Sequence, residues 1–386
     1  MLILKNANVL SIRRKEFIGD VAVENGRIYS VGKDISIPGA KEIDLTGCYV
    51  MPGIIDAHSH IGMWEDGMGR EGADGNEATN ATTPDLRAID GLNPFDRCFK
   101  EAVACGVTAA VTGPGSANVI GGTFVALKLH GKCVEDMIIK QPVAMKAAFG
   151  ENPKRVYGDK GGPQTRMAIA ATLRNALAGA LEYDKKLRSD NEKLPERDLK
   201  KEAMLPVIRR EMPLKIHCHR ADDILTAIRI AKEFDIMFTL DHCTEGYMIS
   251  NIIKETIDET DCGIIIGPLF TDRSKIELRN LSFKAPLKLY EAGIEFAMMT
   301  DHPVIPEQYL PVCAAIAVRE GLPEEAALRS ITINPAKIVG IDDRLGSLEE
   351  GKDADIAVFS GHPLDFRSRC LLTLINGEIV HSELNV

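Results

Sequence analysis

Both ends of the chain alternate apolar and polar residues with a period of two. Residues 1–50 contain several such runs, and Asn25-Gly26 separates two of them. Residues 345–386 repeat the pattern, with Asn376-Gly377 between two runs. An Asn-Gly pair between alternating runs is a strong sequence signal of a β-hairpin. Because each end alone is too small for a stable sheet, we expect the two ends to form one composite β-sandwich domain.

The middle of the chain, residues 51–344, alternates short β-rich runs with stretches of helical periodicity such as residues 221–234. A strand followed by a helix, repeated over this length, predicts an α/β domain with a (β/α)8 TIM-type barrel of parallel strands. Residues 121–126 and 137–139 compete for the third strand. The other seven predicted strands are residues 53–56, 107–112, 142–149, 214–218, 237–240, 263–266 and 295–299.

Two polar segments interrupt the barrel pattern. Residues 62–94 follow the first barrel strand and include Trp64, the only tryptophan. A loop this long in a compact domain is usually functional, so we interpret it as a lid over the site, with an oligomer contact as the alternative. Residues 182–203 are dense in charged residues and predict a solvated helical face.

The composition narrows the class of protein without naming its partner. The chain has 386 residues, 45% of them hydrophobic, and a formal net charge of -10 with both signs interspersed. No basic stripe indicates nucleic acid binding, and no apolar run approaches the roughly 20 residues that span a membrane. The start of the chain lacks a signal-peptide pattern, and nine irregularly spaced cysteines are typical of reduced thiols. We therefore predict a cytoplasmic protein. We also expect a homo-oligomer that acts on a small molecule and binds neither nucleic acid nor membrane.

Histidines gather where the barrel strands are predicted to end. The first strand ends on His58 and His60, and because side chains alternate along a strand, both imidazoles point to the same side. Two neutral imidazoles on one side form half of a typical transition-metal site. The carboxyl ends of parallel barrel strands share one face, so further strand-end histidines would join them. Six of the nine histidines are at strand ends: His58, His60, His217, His219, His242 and His302.

This pattern resembles the metal-dependent amidohydrolase superfamily, and within it the imidazolonepropionase and prolidase-like branch. That family carries His-x-His on strand one, histidines on strands five and six, and an aspartate on strand eight. Residues 334–337 and 345–355 also resemble the family's passage back into its β-sandwich. The resemblance implies one or two ions of zinc or another divalent transition metal. The matching ligands here are His58, His60, His217, His242 and Asp301.

The resemblance implies hydrolysis of a C–N bond in an amide, cyclic amide or dipeptide-like substrate. A divalent metal makes a water molecule more acidic and polarises the substrate carbonyl. Asp301 is expected to act as the general base that takes the proton of the attacking water, and also as a metal ligand. Asp56, two residues before His58, either orients the site from behind or serves strand packing and capping.

The fourth strand offers two candidates for a bridging ligand, which in the family is a carboxylated lysine or a glutamate. Lys146 lies within an apolar strand, where an uncompensated ammonium would be costly. Glu151 lies just past the same strand, where a direct carboxylate ligand is expected. We predict Glu151 as the metal ligand and keep a carboxylated Lys146 as the alternative.

The residue at position 220 distinguishes between two substrate classes of the superfamily. Deaminases of the superfamily carry a glutamate three residues after the strand-five histidine, where this chain has Arg220. A guanidinium binds a carboxylate bidentately, so we predict that His219 and Arg220 bind a substrate that bears a carboxylate. A heterocycle deaminase is the alternative enzyme. A non-catalytic amidohydrolase-like scaffold is the alternative from another class, and the retained histidines argue against it.

Overall fold

The structure, a computed structural model, describes residues 1–189 and 194–384. Residues 190–193, in the charged segment 182–203, lie outside the described residues. The strands are β1 (Leu2–Val9), β2 (Phe17–Glu24), β3 (Arg27–Gly32), β4 (Lys41–Asp44), β5 (Tyr49–Pro52), β6 (Ile54–Ser59), β7 (Val107–Thr112), β8 (Ile120–Lys128), β9 (Ile138–Ala148), β10 (Leu214–Cys218), β11 (Phe238–His242), β12 (Cys262–Ile266), β13 (Ala297–Met298), β14 (Ile356–Phe359), β15 (Cys370–Ile375) and β16 (Glu378–Ser382).

The helices lie mostly between the strands of the middle region. In α7 the buried residues Ile224, Ala227, Ile228 and Ala231 recur at helical spacing, which explains why this stretch is a helix packed on the barrel. None of the described helices is both long and apolar enough to span a membrane. The helices are α1 (Ala88–Gly91), α2 (Arg97–Val103), α3 (Val134–Met137), α4 (Glu151–Tyr157), α5 (Arg166–Leu187), α6 (Leu199–Ile208), α7 (Ala221–Phe234), α8 (Ser250–Glu259), α9 (Ala285–Glu291), α10 (Leu310–Arg319), α11 (Glu324–Ser330) and α12 (Ile333–Val339).

One sheet, called the end sheet below, combines strands from both ends of the chain. Its order is β16-β15-β14-β5-β1-β2-β3, and β4 pairs with β1. Both predicted hairpins are present, with φ of 50° at Asn25 and 52° at Asn376, each followed by a glycine of positive φ. This left-handed backbone is what a tight hairpin turn requires. The division into domains at residues 50 and 345 stays a prediction.

The other sheet, called the barrel sheet, is a nearly closed ring of eight strands from β6 to β13. Two backbone hydrogen bonds join β6 and the residue after it to the segment that follows β13, because Asp301 N donates to His58 O at 3.2 Å and His60 N donates to His302 O at 3.0 Å. Seven strands run parallel as predicted, whereas β8 is antiparallel to both β7 and β9. Only residues 113–119 connect β7 to β8, too few for a crossover of about a dozen residues.

Of the two candidates for the third strand, residues 121–126 lie within β8, whereas residues 137–139 end α3 and begin β9. The inversion of β8 places its last residue, Lys128, at the end of the barrel where the parallel strands begin, because Lys128 pairs with Ala109 near the start of β7. The carboxyl ends of the parallel strands remain together at the opposite end. The candidate site lies at that end.

Candidate active site

The predicted strand-end residues meet at one end of the barrel. His58, His217 and His242 lie in the last two residues of β6, β10 and β11. The ring centroids of His217 and His242 are 4.2 Å apart, and those of His58 and His242 are 5.4 Å apart. His219 joins them, with its ring centroid 4.4 Å from that of His242. All four imidazoles are buried.

Asp301 lies beside the first two histidines, on the segment that follows β13. Its Oδ1 is 3.2 Å from His60 Nε2 and 3.6 Å from His58 Nε2. The backbone at Asp301 is left-handed, with a φ of 55°, a conformation that costs energy and is often found at functional sites. We call His58, His60 and Asp301 the Asp301 set.

Hydrogen bonds fix the orientation of the histidine rings. His58 Nδ1 lies 2.5 Å from Asp241 Oδ2, and His60 Nδ1 donates to Gly113 O at 2.6 Å. His242 Nδ1 donates to Gly267 O at 3.0 Å. A partner on Nδ1 leaves Nε2 as the free nitrogen of each ring, and this arrangement is typical of histidines that bind metals.

The electrostatics of the site keep the imidazoles uncharged. Burial lowers the pKa of His58, His217, His219 and His242 well below the usual value of 6.5. For His58 and His217 the neighbouring Lys146 adds to this effect. Burial also lowers the pKa of Lys146 itself to about 8. Because only a neutral imidazole has a free lone pair, these shifts favour metal binding.

The two fourth-strand candidates occupy different places. Lys146 is fully buried, and its Nζ lies 3.4 Å from His58 Nε2. Glu151 begins α4 and is only half-buried. Its backbone N–H donates to Glu277 Oε2 at 3.1 Å. The structure therefore brings Lys146 next to His58, whereas the contact found for Glu151 is that of its backbone N–H, and its role as a ligand stays a prediction.

The two residues predicted to bind substrate, His219 and Arg220, make contacts away from the cavity. His219 is buried, and its Nδ1 lies 2.7 Å from Thr244 Oγ1. Arg220 precedes α7 and makes a bidentate pair with Asp222 at 2.9 and 2.8 Å. Neither residue lines the cavity described next.

A cavity of about 280 Å³ opens above the Asp301 set. Its lining includes His60, Trp64 and Asp301, and the rings of His60 and Trp64 pack edge to face with centroids 5.0 Å apart. Two cations, Arg155 and Lys275, line the same cavity, and within the described residues neither forms an ion pair. A cavity of this size with unpaired cations suits a small anionic molecule.

Comparison with known proteins adds the family. The profile of the amidohydrolase family matches residues 49–381, which is most of the chain. The chain belongs to the amidohydrolase family. This confirms the resemblance drawn from the strand-end residues. Members of this family are metal-dependent, and the His and Asp cluster of this amidohydrolase is of that type.

Relatives of this amidohydrolase are found among both curated proteins and solved structures. An amidohydrolase from Thermotoga maritima MSB8 is 45% identical, with a TM-score of 0.95, and the match covers 99% of this chain and 100% of that one. Amidohydrolase tasK of Hapsidospora irregularis is 30% identical over 94% of this chain, which spans only 40% of the length of tasK. A prolidase complexed with N-methylphosphonate-L-proline shares the fold, with a TM-score of 0.61 and 17% identity over 99% of this chain and 100% of that chain.

The residues of this amidohydrolase fit a divalent metal. Two groups of three residues each bring their potential ligand atoms within 4.8 Å of one another. One group is His58, His242 and Asp301, and the other is His217, His219 and His242. Both ring nitrogens of His217 are buried without a hydrogen-bond partner in the described structure. Buried polar atoms are nearly always satisfied, so unpartnered imidazole nitrogens of this kind indicate a place for an ion.

Three residues at the site were missed in the sequence. Lys215 donates to Asp241 at 2.9 Å and shares a strand face with His217, so the period of two could have revealed it. Alternation along a strand predicts that only one of the neighbours Asp241 and His242 faces the site. Both do, because the backbone at His242 is left-handed, with a φ of 67°. Glu277 lies in a short turn after β12, where no periodicity gives a signal.

The other singled-out residues have structural contacts. Asp56 accepts from the backbone N–H of His58 at 2.9 Å and from Thr300 Oγ1 at 2.6 Å, so it fixes backbone rather than a ligand ring. Burial raises the pKa of Asp56 to about 7. His302 Nδ1 accepts from the backbone N–H of Glu307 at 3.1 Å, which is a structural role.

Proposed function

We propose that this amidohydrolase hydrolyses a C–N bond in a small amide, cyclic amide or dipeptide-like substrate that bears a carboxylate. The observation that carries the proposal is the position of Asp301 on the cavity wall. Its side chain is 15% exposed, whereas the ring of His58 behind it is fully buried. A base must reach its substrate, and Asp301 is the carboxylate of the Asp301 set that does so.

A divalent ion such as zinc, bound by the Asp301 set, would make a water molecule more acidic and polarise the carbonyl. Asp301 takes the proton from the attacking water and passes it to the leaving nitrogen. Asp241 holds the His58 ring through Nδ1, and Gly113 O holds the His60 ring in the same way. These contacts keep both Nε2 atoms directed at the ion.

Lys146, rather than Glu151, is the additional anionic ligand in this proposal. Its Nζ is buried and lies 3.4 Å from His58 Nε2, which supports the choice. The lysine would act in its carboxylated form, because an ammonium beside a metal ion would repel it. Glu151 contributes its backbone N–H to Glu277 instead.

The substrate carboxylate is bound by Arg155 and Lys275 in this proposal. Both line the cavity and have no ion pair within the described residues. Arg220 was the earlier candidate, but its guanidinium is occupied by Asp222 outside the cavity. Trp64 lines the same cavity and packs on the His60 ring, which supports the interpretation of residues 62–94 as a lid that excludes water.

A substrate screen followed by one substitution tests the reaction. N-acyl amino acids, dipeptides and cyclic amides are offered to zinc-loaded protein, and the best substrate is then used with Asp301→Asn. We expect kcat to fall by about 100-fold or more, because general base catalysis contributes that much, while zinc remains bound. Asp222→Asn, outside the cavity, is the matched control and should retain turnover. Undiminished kcat in Asp301→Asn excludes Asp301 as the base, and ammonia release from heterocycles alone would favour a deaminase.

The carboxylate proposal has a separate test. Lys275→Met should raise KM about 10-fold or more for a substrate with a free carboxylate, because a hydrogen bond to a charged group is worth about 1.5–3 kcal/mol. The same substitution should leave KM unchanged for the matching carboxamide. Arg220→Met is the control. If Arg220→Met raises KM and Lys275→Met does not, the carboxylate binds at Arg220.

A further inference from the structure

Ser116 is the one accessible residue in an otherwise buried run of the chain. It lies between β7 and β8 and is half-buried, whereas every other residue of 111–120 is buried. Ser116 and Asp301 line the same cavity. Gly113, three residues earlier, accepts the hydrogen bond from His60 Nδ1, so the loop that carries Ser116 is tied to the candidate site. This loop therefore presents Ser116 to a molecule bound in the cavity.

The predicted lid holds the loop on both sides of Ser116. Gly115 N donates to Gly75 O at 2.8 Å. Ala117 N donates to Asn76 Oδ1 at 3.1 Å. The backbone N–H of Ser116 itself has no acceptor among the described residues. The lid thus fixes the backbone around Ser116 and leaves its N–H as a donor for a ligand.

Asn152 joins Ser116 to one of the two cations of the cavity. Its Nδ2 donates to Ser116 Oγ at 2.8 Å, and its Oδ1 accepts from Arg155 Nη2 at 3.3 Å. All three residues line the cavity, and Asn152 is only 4% exposed. Because the oxygen of Ser116 accepts from Asn152, the hydroxyl proton is left to donate elsewhere. We call Ser116, Asn152 and Arg155 the Ser116 set.

The charges of the cavity lining distinguish between an anionic and a cationic substrate group. Arg155 and Lys275 are cations, and Asp301 is the one carboxylate among the described residues that line the cavity. In the proposed function Asp301 already serves as base and metal ligand. A substrate carboxylate is attracted by both cations and accepts from the Ser116 set. A substrate ammonium is repelled by the cations and finds no second carboxylate.

The remainder of the lining suits an apolar group of a small substrate. A volume of about 280 Å³ lies at the lower end for small-molecule sites, which usually measure about 300–1,000 Å³. Trp64 is fixed in place, because a Cβ at Gly75 would lie 1.9 Å from its ring. The apolar side chains of the lining are those of Trp64, Ala117, Val156, Pro303 and Val304.

We propose that the substrate is an N-acyl amino acid with a free carboxylate, rather than a dipeptide with a free amino group. The Ser116 set and Lys275 bind the carboxylate, and Asn152 positions Ser116 and Arg155 for it. Hydrolysis adds one water molecule, breaks the bond between the acyl carbon and nitrogen, and releases a carboxylic acid and the free amino acid. This inference rests on the proposed function, which supplies that reaction.

Two achiral substrates that differ at one position test the substrate class. N-acetylglycine and glycylglycine share the scissile amide and the carboxylate, but the dipeptide has an ammonium where the acetyl group has a hydrogen. With zinc-loaded wild type we expect kcat/KM to be about 10-fold or more higher for N-acetylglycine, because the ammonium is desolvated without gaining a carboxylate. An equal or higher value for glycylglycine overturns the N-acyl class, while the proposed hydrolysis of a C–N bond stands.

Binding of an analogue tests the Ser116 set without relying on turnover. N-methylsulfonylglycine carries the carboxylate and a sulfonamide that resists hydrolysis, and calorimetry measures its Kd and that of its carboxamide. Ser116→Ala should raise the Kd of the carboxylate about 10-fold or more, because a hydrogen bond to a charged group is lost. Ser274→Ala is the matched control, since Ser274 is exposed beside Lys275 and outside the cavity lining, and it should bind as wild type does.

A second variant tests the positioning role of Asn152. Asn152→Asp takes the hydroxyl proton of Ser116 and adds a like charge, so the Kd of the carboxylate should rise more than in Ser116→Ala. The Kd of the carboxamide should rise less, whereas a purely structural role would weaken both ligands equally. Circular dichroism identifies a variant that has not folded, in which case Ser116→Ala decides.

The outcomes separate this inference from the proposed function. Unchanged binding of the carboxylate in Ser116→Ala and Asn152→Asp overturns the Ser116 set, and so do equal losses for carboxylate and carboxamide in both variants. If the carboxylate depends on Ser116 but neither glycine substrate is hydrolysed, the Ser116 set stands and the reaction does not. Preference for N-acetylglycine, together with losses specific to the carboxylate, supports the whole inference.

Discussion

Two buried groups of charged side chains lie at opposite ends of the barrel and differ in whether the charges are paired. At the end where β7 begins, Lys128 Nζ donates to Asp353, Asp355 and Asn376 at 2.8, 2.9 and 2.5 Å. We call these four residues the Lys128 cluster. At the other end, Glu277 faces neutral imidazoles, and no lysine or arginine of the described residues lies within 4.0 Å of its carboxylate.

The Lys128 cluster joins the two sheets. Lys128 ends β8 of the barrel sheet, whereas its acceptors lie beside β14 and between β15 and β16 of the end sheet. Arg344 adds a second cation at 2.7 Å from Asp353 Oδ2. A compensated buried charge group of this kind holds structure together, whereas an uncompensated buried charge is destabilising unless a ligand neutralises it. The presence or absence of a compensating charge therefore helps to distinguish structural buried charges from those that bind a ligand.

The largest expected effect is on stability at the paired end. Lys128→Met leaves Asp355 buried without a cation, and we expect the free energy of unfolding to fall by about 3–5 kcal/mol. Lys132→Met, on an exposed lysine four residues away, is the control and should change it by no more than about 0.5 kcal/mol. Urea denaturation measures both. Equal losses in the two variants would show that the buried ion pairs of Lys128 stabilise the fold no more than an exposed lysine does.

The next effect is that of metal at the unpaired end. Zinc added to stripped wild type at about 100 times its dissociation constant should raise the free energy of unfolding by about 2.7 kcal/mol for each site. Glu277→Gln should gain less, because it lacks the carboxylate charge that faces His217 and His219. Thermal unfolding with zinc and with chelator gives both values. An identical gain in wild type and Glu277→Gln would contradict the difference between the two ends.

The smallest effect is that of Glu277→Gln without metal. We expect the free energy of unfolding to rise by no more than about 1 kcal/mol, because the substitution removes a buried charge that has no lysine or arginine within 4.0 Å among the described residues, and glutamine retains an oxygen for Glu151 N. Glu245→Gln should cost about 1–3 kcal/mol, since its amide would place a donor against Asn280 or Ala221. Urea denaturation in chelator compares them. A greater loss in Glu277→Gln would mean that Glu277 is already paired.

Much of the fold follows from residue patterns. The turns at Asn25-Gly26 and Asn376-Gly377 were predicted because a left-handed pair strongly limits the residues that occupy it. The strands at 107–112 and 214–218 were predicted with their observed bounds. The direction of β8 was not, because alternation reports which face a residue occupies and says nothing of the direction in which a strand runs. Only the short linker 113–119 carried that information.

The site was partly predictable for a similar reason. His58 and Asp301 lie at strand ends, where position in the barrel determines position in space. Glu277 and Lys275 lie in a segment without periodicity, so only the folded chain shows that they face the histidines and the cavity. The cytoplasmic location, which rests on the cysteines and the start of the chain, and the homo-oligomer both stay predictions.

The end sheet combines strands from both ends of the chain, and this has a consequence for the growing chain during synthesis. β5 pairs with β1 on one side and with β14 on the other. The ribosome makes β14 only after the whole barrel sheet, so until then β5 has an unpaired edge to which other chains can add. A nascent chain stalled near residue 350 would therefore aggregate through that edge although the histidines of the candidate site have all been made, and chaperone binding should persist until β14 emerges.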